Sequence, residues 1–145
     1  MNPAAVKDFL IPALTFVLGG LGGLFGGLWP HVQKPLTEYR QTLTDISQLM
    51  LRSVAIIYGD EYSERERFYD DIRELHARLM SSADSIPRPA RPVLQVIGLL
   101  RPRDQIEEGA KMLIGISNQV IGVHRDDSHL VELTKKLGAA LDITV

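Results

Sequence analysis

The chain has 145 residues and a formal net charge of −2 at neutral pH, which suits one domain with an appended segment. It contains no cysteine, and this excludes a disulfide-stabilised scaffold and a thiolate metal site. The charge is unevenly distributed, because residues 9–29 carry no ionisable side chain and nearly every charged residue follows them.

The first thirty residues predict a membrane-spanning helix. An uncharged run from Phe9 to Trp29 would be about 31 Å long as a helix, close to the thickness of the hydrocarbon core of a bilayer. Asn2 and Pro3 suit a helix start, and Trp29 and Pro30 supply an interfacial aromatic side chain and a stop. The alternatives are a cleaved signal peptide, whose basic start and small-residue cleavage site are missing, and a buried hairpin of a soluble protein.

Glycines are unusually dense in this segment, with six between residues 19 and 27. In water they would cost a helix roughly 6 kcal/mol relative to alanine, whereas in lipid an unpaired backbone would cost more. Their spacing predicts a glycine zipper, a bare strip for close helix packing or for lining a pore, unless glycine is simply common in membrane helices. The strip consists of Gly19, Gly22, Gly23, Gly26 and Gly27. The stretch GLFGGLW also resembles, in composition, glycine-rich fusion and pore-forming peptides.

Flanking charges predict the orientation of this helix. Lys7 precedes the uncharged run, whereas Lys34 and Arg40 follow it. Because cytoplasmic flanks carry an excess of Lys and Arg, this bias places the C-terminal domain in the cytoplasm.

Residues 31–145 predict an all-α domain. Apolar residues recur at intervals of three and four, and no segment alternates convincingly with period two. The pattern predicts a helical hairpin over 35–82, with Ser63 and Glu66 as a capping box, and further helices over 104–141. Between them, 85–103 is a proline- and arginine-rich connection that holds a short apolar helix from Val93 to Leu100. The apolar stripes are Leu36, Tyr39, Leu43, Ile46, Met50 and Ile57; Phe68, Ile72, Leu75 and Leu79; Ile106, Ala110, Leu113, Ser117 and Val120; and Leu130, Leu133 and Leu137.

The connection is a candidate site for an anionic ligand. Between Ile86 and Arg103 there are four arginines and no acidic residue, and prolines restrict the backbone that carries them. Guanidinium groups suit bidentate contacts with phosphate, so a nucleotide, an oligonucleotide or a lipid headgroup is the expected ligand. The alternative is that these arginines are solvated or pair with nearby acidic residues. The arginines are Arg88, Arg91, Arg101 and Arg103, and the acidic residues are Asp84, Asp104, Glu107 and Glu108.

Chemistry of other kinds is not expected. His124, Asp126, Asp127 and His129 look like metal ligands, but the spacing of the two histidines fits no common ligand signature, and an acidic helix start explains the cluster more simply. No pairing of a nucleophile with a base, no phosphate-binding loop and no dinucleotide fingerprint is visible. We therefore expect no enzyme activity, no metal and no cofactor.

In layout, a short N-terminal membrane helix before a small helical domain resembles the small membrane effectors of bacterial anti-phage defence. The resemblance covers architecture and no residue motif. It implies a homo-oligomer in the bacterial inner membrane that forms or gates a pore under control of a nucleotide or oligonucleotide. The alternative is an accessory or scaffolding single-pass subunit of a larger membrane complex, whose glycine strip packs on another protein.

Overall fold

A computed structural model describes the backbone of residues 3–58, 62–121 and 127–145, and the side chains of Gly23, Gly26, Gly27, 29–53, 63–121 and 128–145. The predicted all-α class is confirmed, since these residues form helices and no strand. In chain order the helices are α1 (Pro3–Tyr58), α2 (Tyr62–Ser85), a single 3-10 turn (Arg88–Ala90), α3 (Arg91–Val96), α4 (Arg103–Ile121) and α5 (Asp127–Leu141).

Helix α1 does not stop at Pro30, where the sequence predicts a helix end. Its backbone continues through Pro12, Pro30 and Pro35 to Tyr58. A proline inside a helix removes one backbone hydrogen bond and costs about 3 kcal/mol. After Pro30 this cost is offset by packing, because Val32 and Leu36 are buried in the helical core.

The predicted membrane segment is described only in part. Over the residues available to the search, no helix is both long and apolar enough to cross a bilayer. Gly19 and Gly22 lie outside the residues with described side chains, as do most residues of the uncharged run. Gly23, Gly26 and Gly27 are exposed, and a Cβ added to any of them would meet nothing within 4 Å.

The helices pack as a sequential array: α1 on α2, α2 on α4, and α4 on α5. Asp45 of α1 pairs with Arg78 of α2 at 3.1 Å, which places these two positions of the antiparallel helices side by side. One apolar core runs through all of them, because each helix turns a stripe with the helical period inward. Its largest fully buried side chains are Tyr39, Phe68, Ile46, Met50, Ile72, Leu79, Ile86, Leu94, Leu113, Ile116, Leu137 and Leu141.

The C-terminal residues form a clasp over α1 and α5. Asp142 adopts a left-handed backbone conformation with φ 55°, which turns the chain back so that the amide of Ile143 donates to the carbonyl of Gly138 at 3.1 Å. The hydroxyl of Ser47 on α1 then donates to the carbonyl of Thr144. The last residues therefore connect the final helix to the first.

The phenol of Tyr39 is a polar group inside this core. It is 1% exposed, and its hydroxyl makes no hydrogen bond of ordinary geometry with the described residues, although the backbone amide of Arg101 lies near it. Burial raises the pKa of Tyr39 above its ordinary value, and the nearby backbone amide and charge of Arg101 offset this only in part. Tyr39 is therefore a neutral side chain that has lost its hydration without full compensation.

Tyr39→Phe is expected to increase the free energy of unfolding by about 1 kcal/mol, because it removes a buried, unsatisfied hydroxyl. It should also flatten the fall in stability above pH 10, where the tyrosine ionises in the unfolded chain before it does so in the folded one. Urea titration at pH 7 and pH 10.5 measures both effects. The control is Tyr69→Phe, since the Tyr69 hydroxyl accepts a hydrogen bond from Arg73 at 2.6 Å near the surface. A loss of stability in Tyr39→Phe would mean that its hydroxyl has a partner.

Candidate anion-binding site

The proline-rich connection builds a pocket at the end of α2. Helix α2 ends at Ser85, Pro87 turns the chain, and the 3-10 turn leads directly into α3, whose second residue is Pro92. Gly98 closes α3 with φ 72°, which lets the amides of Leu99 and Leu100 both reach the carbonyl of Leu94. The short helix thus begins and ends earlier than the predicted Val93–Leu100.

A pocket of about 620 Å³ lies between this connection and the start of α4. It gathers three of the four arginines that the sequence singles out. One carboxylate lies among them. The lining residues are Asp84, Ser85, Ile86, Pro87, Arg88, Arg91 and Arg103.

Arg91 is committed to the backbone. Its Nε donates to the carbonyl of Ile86 and its Nη2 to the carbonyl of Asp84, each at 3.0 Å. The Asp84 carbonyl belongs to the last turn of α2 and the Ile86 carbonyl follows it; carbonyls at a helix end lack an intrahelical donor, so the guanidinium acts as a C-terminal cap. The Asp84 carboxylate is 4.0 Å away, at the limit of an ion pair.

Arg103 is paired with carboxylates on two helices. Its Nη1 contacts Asp84, and its Nε donates to Glu107 one turn along α4 at 2.7 Å. The hydrogen bonds that Arg103 donates to Glu107 and to Asp84 raise the pKa of Arg103 above its ordinary value, so it stays charged. A ligand phosphate at this arginine would have to compete with both carboxylates.

Arg101 lies outside the pocket. Its guanidinium pairs with Asp142 in the C-terminal clasp, and it is not among the residues that line the pocket. The structure therefore brings together Arg88, Arg91 and Arg103 and leaves Arg101 in a separate ion pair. Asp84 and Glu107 were among the acidic partners considered from the sequence, and Asp142 was not.

Arg88 is the arginine best suited to an external anion. It is exposed at the first position of the 3-10 turn, and its guanidinium makes no ion pair with any residue the structure describes. Arg91 and Arg103 add positive potential behind it, although Asp84 and Glu107 neutralise part of that charge. The geometry suits one phosphate held by Arg88 at the mouth of the pocket.

Comparison of the chain with protein-family models, with curated proteins and with solved structures finds no match.

The histidine and aspartate cluster of the sequence falls mostly beyond the described residues. His124 and Asp126 lie outside them, and so does the side chain of Asp127. His129 is exposed near the start of α5. Within the described part of the chain, no three metal-ligating side chains come together.

Proposed function

We propose that this protein is a membrane effector. Residues 9–29 insert as a single-pass helix, copies associate through the glycine strip, and the helical bundle lies on the cytoplasmic side of a bacterial inner membrane. An anionic ligand of nucleotide or oligonucleotide type binds the pocket lined by Arg88, Arg91 and Arg103, here called the arginine pocket. Its binding biases the assembly between closed and conducting forms. Anti-phage defence, in which such effectors permeabilise the infected cell, is the corresponding biological role.

The observation that carries the proposal is the unbroken backbone of α1. The helix that holds the uncharged run continues past Pro30 into the core, where Val32, Leu36 and Tyr39 are buried. A movement of the bundle is thus transmitted to residues 9–29 without a flexible linker. A ligand shifts such an equilibrium only as far as its affinities for the two forms differ, and the arginine pocket at the end of α2 is a place where that difference can arise.

The exposed glycines support association of this helix with another. Because a Cβ at Gly23, Gly26 or Gly27 would meet nothing within 4 Å, the backbone is open to close approach by a second helix. A second copy of the chain gives the effector. A different protein gives the accessory-subunit alternative, in which the same strip packs on a helix of a larger complex.

Release of an entrapped dye from liposomes tests the effector. The full chain is expected to cause release, and Gly23→Leu to abolish it, because the leucine fills the strip that neighbouring helices need. The matched control is Leu21→Phe, which adds bulk ~160° around an ideal helix from Gly23 and should retain release.

Two outcomes contradict the proposal in different ways. A full chain that stays in the supernatant after high-speed centrifugation of lysed cells, without detergent, is not a membrane protein, and both the effector and the accessory subunit then fail. Membrane-bound protein with no dye release, or with equal release from wild type and Gly23→Leu, overturns the glycine-lined path. A monomeric or heteromeric mass in detergent would then favour the accessory subunit.

A further inference from the structure

The turn after α3 presents aliphatic side chains to solvent. Val96 is 87% exposed and Ile97 is 56% exposed. The turn is well formed: the amides of Ile97 and Gly98 donate to the carbonyls of Val93 and Gln95, each at 3.1 Å. Two adjacent branched side chains are thus held in water by an ordered backbone, which is unfavourable unless another apolar phase covers them.

One arginine near this aliphatic turn has no described ion-pair partner. It is the exposed Arg88, which lies just before α3, whereas Arg91 at the start of α3 donates to backbone carbonyls and Arg101 after the turn pairs with Asp142. Since α3 has six residues, its two ends are only ~9 Å apart. The exposed guanidinium of Arg88 and the tip at Val96 can therefore reach one flat surface together.

The turn lies at the end of the bundle from which the uncharged segment leaves. Glu38 of α1 shares a groove with Ser81 and Ser82 near the end of α2. From that level, α1 runs ~13 Å back to Trp29, and α2, which is antiparallel to α1, ends at Ser85 on the same side. Arg101, which follows the turn, lies near Tyr39 of α1. The arginine pocket and α3 thus lie beside the start of the core-packed part of α1.

We propose that the α3 turn docks onto the headgroup layer of an anionic lipid bilayer. Val96 and Ile97 enter the boundary of the acyl chains, and Arg88 contacts lipid phosphates. An aliphatic tip beside Arg88, an exposed arginine that pairs with no described carboxylate, is complementary to such a surface, whereas a protein partner would be expected to offer a matching apolar cavity. The proposal rests on the proposed function, because the bundle must lie beside a bilayer, and a soluble nucleotide bound at Arg88 would compete with lipid phosphate for this arginine.

A single-cysteine fluorescence experiment tests the docking. The chain has no cysteine, so Val96→Cys carries one environment-sensitive label in the full-length protein. With vesicles of phosphatidylcholine and phosphatidylglycerol, its emission should shift to the blue and become protected from iodide. The matched control is Val131→Cys, which is 52% exposed on α5. Its neighbour Leu133 packs by Gly115, ~18 Å along α4 from Arg103, so this label should not respond.

The same label at position 96 also tests whether docking depends on the charge of Arg88 and of the lipids. Vesicles of phosphatidylcholine alone, or the second substitution Arg88→Gln, should weaken the docked state about fivefold, since each basic residue near an anionic surface contributes roughly a fivefold factor. The blue shift should then be lost or reduced accordingly, while the helix content of the protein stays unchanged. An unchanged shift would overturn the contact between Arg88 and phosphate.

The remaining outcomes separate the docking from the proposed function. If the protein sediments with vesicles but the Val96 label does not respond, the docking is wrong and the membrane effector stands. If Phe16→Asp abolishes dye release but leaves the Val96 shift, the docking holds without the pore. A shift at both labels means non-specific adsorption, and a shift without vesicles means that a second copy covers the turn; either result overturns the docking.

Discussion

Gly109→Ala is expected to lower the free energy of unfolding by about 2 kcal/mol. Gly109 is buried on α4, and a Cβ built there would lie 2.5 Å from Cδ2 and 2.6 Å from Cγ of Leu141. Leu141 is 1% exposed at the end of α5 and has no space to retreat into. The overlap therefore forces α4 and α5 apart, and the loss exceeds the ~1 kcal/mol that alanine adds to a helix over glycine.

The matched control for this prediction is Gly115→Ala on the same helix. A Cβ at Gly115 would lie 3.3 Å from a terminal methyl of Leu133, which can rotate away. The gain in helix propensity should then make this variant equal to wild type or more stable. Guanidinium titration followed by circular dichroism compares the two. Equal stability of Gly109→Ala and Gly115→Ala would contradict the close packing of α4 on α5 at Leu141.

The helices and their buried faces were predictable because they depend on local periodicity. Phe68, Ile72, Leu75 and Leu79 recur with the helical period, and all four are buried on α2. The stripe of α4 is buried in the same way, including Ser117, whose hydroxyl donates to the carbonyl of Ile114 at 2.8 Å. Side chains three and four positions apart share a face in any α-helix, so neighbouring helices need not be known.

The predicted helix end at Pro30 was wrong because it depends on tertiary packing and not on local periodicity. A proline weakens a helix locally, and the sequence contains no direct sign that Val32 and Leu36 would be held by the α2 end of the bundle. That packing is a tertiary effect and outweighs the missing hydrogen bond. Helix ends that depend on tertiary contacts are not encoded in the residues next to them.

The sequence shows that four arginines lie close together along the chain, but it does not show which acidic residue each of them pairs with. Counting charges from Ile86 onward excludes Asp84, which lies two residues upstream and contacts Arg103 across 19 positions of the chain. Asp142 is still further along the chain, yet it pairs with Arg101 because the C-terminal clasp returns to this corner. Long-range ion pairs follow from how the helices are arranged, so the sequence left open which arginine remains available.

Arg91→Ala is expected to lower the free energy of unfolding by about 3 kcal/mol. Its guanidinium donates to two carbonyls at the C-terminal end of α2, those of Asp84 and Ile86, and hydrogen bonds from a charged donor are worth about 1.5–3 kcal/mol each before solvent screening. The side chain is 25% exposed, so part of that value is recovered by water. Without Arg91 the carbonyls lose their donor, and the turn leading to α3 loses its attachment to α2.

Arg88→Ala is the control, because it removes an arginine from the same pocket without breaking a described contact. Its stability should stay within about 0.5 kcal/mol of wild type, as for most exposed substitutions. Urea titration compares the stability of the two variants. Isothermal calorimetry measures the binding of inorganic pyrophosphate to the pocket. Arg88→Ala should lose that binding while remaining folded. If Arg91→Ala is as stable as wild type, Arg91 is not a cap, and the division of this corner into a structural arginine and a ligand-binding one is wrong.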